Sequence, residues 1–190
     1  MELKPVGILG DCFEPDQTYA YNFMLDTSAI NKLAEKPQDV DTLAQASTKL
    51  GYLFFRCRIQ DGEVVGMKSD GSFHKNFSGP SKKAQIMQSI IETLPIRKIP
   101  CVGALVQGGI PLDGTCYFLE DNGKYHDLFK QVFNENPDNV EDAMIVESGI
   151  HHNCTIISND RAMCENTNAI FPNKAMWYDR FIKETKEKLV

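Results

Sequence analysis

Four acidic residues, Asp26, Glu63, Asp142 and Asp160, stand where a fold could bring carboxylates together. Gathered carboxylate oxygens are hard ligands that suit Mg²⁺ or Mn²⁺, and Mg²⁺ usually keeps waters when few protein oxygens bind it. Asp26 directly follows the apolar run Phe23-Met24-Leu25, and Asp160 closes the segment Ile156-Ile157-Ser158-Asn159. In open α/β sheets ligands collect beyond the carboxyl ends of strands, so an Asp at such an end can enter a site. Each of these two also suits the N-cap of a following helix. Asp142 falls in the first turn of an apolar helix, where an acid complements the macrodipole, and the adjacent Glu141 is a rival for either role. Glu63 precedes Val64-Val65-Gly66, in keeping with one helical turn that presents its side chain; by itself it reads as a solvated surface acid.

The elements that must position these groups follow from periodicity. Phe23 to Asp26 reads as a short buried strand, and Thr27-Ser28 opens a helix carrying Ile30, Leu33 and Ala34 on one face. A second helix is predicted from about Gln38 to Lys49, ending at Gly51, and Tyr52 to Ile59 reads as an aromatic-rich strand. Beyond a polar, glycine-containing stretch from Gly66 to Gly79, Ala84, Met87, Ile91 and Leu94 recur at helical spacing. From Ile96 to Leu119, short apolar runs interrupted by Gly108-Gly109 and Asp113-Gly114 suggest one or two strands. Helices are predicted over Tyr125 to Phe133 and Val140 to His151, then a strand from Cys154 to Ser158, a small helix, a short strand near Ala169 to Phe171, and a charged C-terminal helix. Alternating helices and short buried strands predict an α/β fold, a three-layer α/β/α sandwich around a mainly parallel sheet. One domain over residues 1–190 is expected, with 1–22 an N-terminal extension and about 67–136 an enlarged middle segment.

Composition narrows the function classes. A net charge of −6 argues against a protein whose main task is to coat nucleic acid, because phosphate neutralisation relies on Lys and Arg. It leaves room for a nuclease, since metal-holding carboxylates add negative charge locally while Arg56, Arg58, Lys82 and Lys83 are candidates to guide a phosphate backbone. Six scattered cysteines with no C-x-x-C pair read as reduced and structural. No apolar run approaches the roughly 20 residues of a membrane span. The N-terminus lacks a secretory pattern, so a cytoplasmic location is the expectation.

Four short blocks, in order, carry a resemblance. Leu25-Asp26-Thr27-Ser28-Ala29-Ile30 resembles the opening of PIN domains, a strand ending in Asp-Thr/Ser. Glu63-Val64-Val65-Gly66 is similar to that family's Glu-Leu-x-Gly, Asp142-Ala143-Met144-Ile145 to its Asp-Ala-Leu-Ile, and Ile156-Ile157-Ser158-Asn159-Asp160 to its Val-Thr-Asn-Asp. The resemblance spans roughly Phe23 to Phe171; the run from Met67 to Asn136 is longer than in small toxin members, the first 22 residues precede the family's usual starting strand, and Ser158 stands where Thr is frequent. It implies a Mg²⁺- or Mn²⁺-dependent endoribonuclease that hydrolyses RNA with metal-activated water. Asp26, Asp142, Asp160 and Glu63 would hold the metal, directly or through water, with Ser158, Asn159 and Thr27 orienting them. For partners it implies an RNA substrate, and it leaves room for an antitoxin protein seated in the cleft and for a homodimer.

Other chemistries have weaker footing. A PIN domain with a weakened site would serve as a nucleic-acid-binding or protein-interaction module. A haloacid-dehalogenase-like phosphohydrolase wants a second Asp two residues after the first, where this chain has Ser28. His151, His152, Cys154 and Cys164 offer zinc-ligand types, but the histidines read better as helix C-terminal residues whose charge is favourable there, and Cys154 as the start of a buried strand. Gly108-Gly109 lacks the Lys-Ser/Thr of a P-loop, Ser28 has no histidine partner, and Trp177 and Tyr178 read as packing residues.

Overall fold

The structure is a computed structural model that describes residues 21–57, 59–61, 82–94, 96–103, 116–118, 123–133 and 139–190. Glu63, Arg58, residues 1–20, Gly108-Gly109 and Asp113-Gly114 lie outside the described residues. The elements run β1 (Asn22–Leu25), α1 (Thr27–Glu35), α2 (Pro37–Leu50), β2 (Leu53–Arg56), α3 (Lys82–Thr93), β3 (Ile96–Lys98), β4 (Cys101–Gly103) and β5 (Cys116–Phe118). They continue with α4 (Lys124–Phe133), α5 (Val140–His151), β6 (Thr155–Ser158), α6 (Arg161–Ile170), β7 (Ala175–Trp177) and α7 (Tyr178–Leu189). Five strands form one sheet in the order β3-β2-β1-β6-β7 with every pairing parallel, and β4 pairs with β5 in a second, two-stranded parallel sheet.

Alternation along the central strands builds the two covering layers, because successive side chains leave a strand on opposite faces. Phe23, Leu25, Phe54, Ile96 and Ile157 pack with α1, α2, α3 and α7, whereas Met24, Phe55 and Ile156 pack with α4, α5 and α6. The result is the three-layer α/β/α sandwich, with strands apolar on both faces as buried parallel sheets require. Among the described residues no helix is long and apolar enough to cross a membrane. Gly51 ends α2 at a left-handed φ of 71°, which accounts for the helix stop there.

Three expectations change. The strand predicted from Tyr52 to Ile59 ends at Arg56, and residues 59–61 are helical, because the buried Gln60 side chain takes the Cys57 N–H (2.7 Å) and turns the chain. The strand expected near Ala169 to Phe171 is absent: those residues finish α6 and its cap, and the last strand is Ala175–Trp177, reached through a turn with Asn173 at φ 63°. From Ile96 to Leu119 the described residues hold three strands, two of them outside the main sheet.

Helix α5 approaches the sheet closely at Gly149, where an added β-carbon would overlap Ile156 Cδ1 and come within 2.8 Å of Met24 Sδ. Met24 and Ile156 are register partners and both fully buried, so any shift of their side chains must be taken up inside the packed core. Gly149→Ala is therefore expected to destabilise the fold by about 1–3 kcal/mol through overpacking, outweighing the roughly 1 kcal/mol that Ala gains over Gly in a helix. Urea unfolding measures this; a midpoint at or above that of the unaltered protein would refute the tight contact.

Candidate active site

The sheet order places β1 beside β6, and the helix after β1 covers one face while the helix after β6 covers the other. Chains leaving on opposite faces open a crevice at the carboxyl ends of these strands, the usual ligand position in such sheets. Asp26 ends β1 and Asp160 follows β6, so both lie at this switch point.

Asp26 is almost wholly buried and caps α1, its side chain accepting from the Ser28 N–H at 3.2 Å. Two hydroxyls converge on the same oxygen: Ser28 Oγ donates to Asp26 Oδ2 at 2.5 Å and Ser158 Oγ donates to it at 2.9 Å. Each hydroxyl then accepts a backbone N–H from the end of β6, Ser28 from Asn159 at 2.9 Å and Ser158 from Asp160 at 3.0 Å. This lattice stitches the two strand ends together and fixes the Asp26 carboxylate. Below it, the buried Gln60 side chain donates to the Leu25 carbonyl. Burial pushes the Asp26 carboxyl above its ordinary value, opposed by the hydrogen bonds from Ser28 and Ser158.

Asp160 is exposed and caps α6, with Oδ1 accepting the Met163 N–H at 3.1 Å. Both Asp residues thus cap a helix from the switch point of the sheet. Asp142 is half-buried in the first turn of α5. Its carboxyl is raised to about 7, first by burial and then by the negative charges of Asp26, Asp160 and Glu141. The helix therefore carries Asp142 into the electrostatic field of both strand-end carboxylates. Cys164, buried on α6, also senses Asp26 and Asp160, and its thiol is raised to about 11, chiefly by burial.

Three of the four sequence-predicted acids thus share one region, and the fourth, Glu63, is outside the described residues. Ser158 donates to Asp26, and Asn159 reaches Ser28 through its backbone N–H. Ser28, read from sequence only as a helix opener, joins the lattice by contacts across 130 residues of chain, a separation at which spacing gives no signal. Gln60 was missed for the same reason, and Cys164 was weighed only as a zinc ligand. Arg56 is tied to Asp61 at 2.6 Å and to the Ile96 carbonyl at 2.9 Å, so it is committed to structure and not to guiding phosphate.

Among the described residues no three or more His, Cys, Asp and Glu side chains form a group that could by itself hold a metal ion. His151, His152, Cys154 and Cys164 are all described residues and form no such group. The favourable charge expected of the histidines fails at His152: burial, then neighbouring His151, lowers it to about 4 and keeps it neutral. The carboxylates at the strand ends nonetheless suit a hard divalent cation that retains waters, because Asp142 resists ionisation beside Asp26 and Asp160 and a cation would relieve that crowding. A separate groove of about 430 Å³ between α2 and α7 contains none of these acids; its Lys36, Lys183 and Lys186 pair with Asp179, Glu187 and the buried Asp39.

The chain is an open α/β protein, a three-layer sandwich with Asp26 and Asp160 at its switch point. No family model matches the chain, and no curated protein does. Among solved structures, the crystal structure of PAE2754 from Pyrobaculum aerophilum is similar, with a TM-score of 0.43 and 12% identity over 88% of this chain and 98% of that one.

Proposed function

We propose that the chain is a metal-dependent endoribonuclease of the PIN type. The observation that supports this is the meeting of Asp26 and Asp160 at the β1–β6 switch point, with Asp142 in their field. Asp26, Asp142 and Asp160 would hold Mg²⁺ or Mn²⁺ partly through water, with Glu63 as a fourth acid. When bound, the ion supplies charge stabilisation at the phosphate and a water acidic enough to attack it. The chain's own share is orientation: Ser28 and Ser158 fix the Asp26 carboxylate from behind, and the N-terminal turn of α6 fixes Asp160. In this reading an antitoxin protein or a second copy would be a partner of the same crevice.

Purified protein with millimolar Mn²⁺ is expected to cleave single-stranded RNA of mixed sequence, and EDTA to stop it. Gel analysis of labelled RNA reads the products. Cleavage that persists in EDTA refutes the metal-dependent mechanism, and RNA binding with no cleavage in Mn²⁺ or Mg²⁺ replaces the enzyme with a binding module.

A further inference from the structure

Arg161 is the residue after Asp160 and the first of α6, and it is exposed. Its guanidinium carbon sits 4.2 Å from the centroid of the Trp177 ring. Trp177 ends β7 directly opposite Ser158 in the sheet register, so the Arg–Trp pair flanks the strand end that carries Asp160. Although an acid precedes it in sequence, Arg161 makes no ion pair or hydrogen bond among the described residues. Its counterparts do: Arg56 and Lys98 both pair with Asp61, Arg180 with Glu184, and Lys36 with Asp179.

An RNA backbone entering the crevice meets the exposed side chain of Asp160 first, with Asp142 half-buried and Asp26 buried behind it, and carboxylates in their ionised form repel phosphate. A fixed cation at the rim offsets that repulsion, and a guanidinium supplies it in a form that forks onto phosphate oxygens. The indole ring restrains the arginine without using its N–H donors, since a cation over an aromatic face is held by the ring quadrupole.

We propose that Arg161, seated over Trp177, binds a backbone phosphate of single-stranded RNA next to the one that enters the crevice. This rests on the ribonuclease reading and adds the residue that positions the strand. Arg161 is the substrate-binding group, and Trp177 is a positioning residue that acts through it.

The test is binding of a short fluorescein-labelled oligouridylate, whose bases stack weakly, followed by anisotropy over a range of salt in EDTA so that no cleavage intervenes. Arg161→Ala is expected to weaken binding about tenfold and to lower the slope of log K on log salt by about 1, the change for one lost phosphate contact. Arg161→Lys keeps the charge, and so the slope, but loses the fork and binds with intermediate affinity. Trp177 is the single tryptophan of the chain, so its emission reports the subsite alone and is expected to respond to the oligouridylate in the unaltered protein but not in Arg161→Ala. Equal affinity and slope in Arg161→Ala overturn the subsite, and so does weaker binding with an unchanged slope, which would mark a merely structural role. If binding depends on Arg161 while Mn²⁺ elicits no cleavage, the ribonuclease reading falls and the phosphate subsite stands.

Discussion

Asp26→Asn is expected to reduce Mn²⁺-dependent RNA cleavage by well over 100-fold while leaving the protein folded. Loss of an outer-sphere partner in a metal site typically costs roughly 10–100-fold, so under the proposed mechanism, replacing a carboxylate that would hold the ion is expected to exceed that range. Asn suits the structural half of the residue's work. It is as good an N-cap as Asp, and its carbonyl oxygen can accept from the Ser28 N–H and from the Ser28 and Ser158 hydroxyls, which converge on one carboxylate oxygen. Burial already resists a charge at this position, so a neutral isostere carries no added desolvation penalty. Stability is therefore expected to stay within about 1 kcal/mol. Asp26→Ala would be the poorer probe, because it leaves those buried donors unsatisfied at about 1–3 kcal/mol and confuses unfolding with loss of chemistry. The paired measurement is cleavage rate and thermal midpoint on the same preparation. Undiminished cleavage by a folded Asp26→Asn protein would remove Asp26 from the site and with it the proposed mechanism.

The parts of the site that sequence reveals are those set by local chemistry. An apolar run that halts at a polar group marks a buried strand end: Phe23-Met24-Leu25 stops at Asp26, and Ile156-Ile157 stops at Ser158, two residues before Asp160. The start of α5 is legible because Asp142 precedes an unbroken buried stretch from Ala143 to Ile150. What escapes is whatever depends on contacts between distant segments. The last strand, Ala175–Trp177, is too short to show alternation and gains its identity from hydrogen bonds to β6. The apolar residues around Ile170 suggest a strand yet complete a helix, because α6 packs its Met163, Cys164 and Thr167 inward first. His152 reads as a helix-terminal cation, but tertiary burial overrides the dipole and keeps it neutral. Ser28 shows the same limit in the site itself: its local role as a helix opener is visible, and its bond network to β6 is not.

That distinction bears on Asp142, whose role is electrostatic and long-range. In the metal-free protein its folded pKa of about 7 lies above the ordinary carboxylate value, so the fold favours the protonated acid. The associated stability is fully present below the unfolded pKa near 4 and is lost as pH rises through 7, because the unfolded chain gives up the proton far more readily. Water screens the half-buried group, which holds the effect to the order of 1–2 kcal/mol. Asp142→Asn is accordingly expected to raise the thermal midpoint of the metal-free protein at pH 8, to flatten its stability between pH 5 and 8, and to leave it little changed at pH 5. A divalent cation acts in the opposite sense, since it favours the ionised carboxylates and binds the folded form alone, stabilising it by mass action. Mn²⁺ is therefore expected to raise the midpoint of the unaltered protein at pH 8 and to have little effect on Asp142→Asn. The two results together mark a residue kept at a cost to stability because its charge is used. If Asp142→Asn is no more stable at pH 8 and still responds to Mn²⁺ as the unaltered protein does, Asp142 is a solvated helix-start acid, and among the described residues the strand-end carboxylates alone are left to offer an ion.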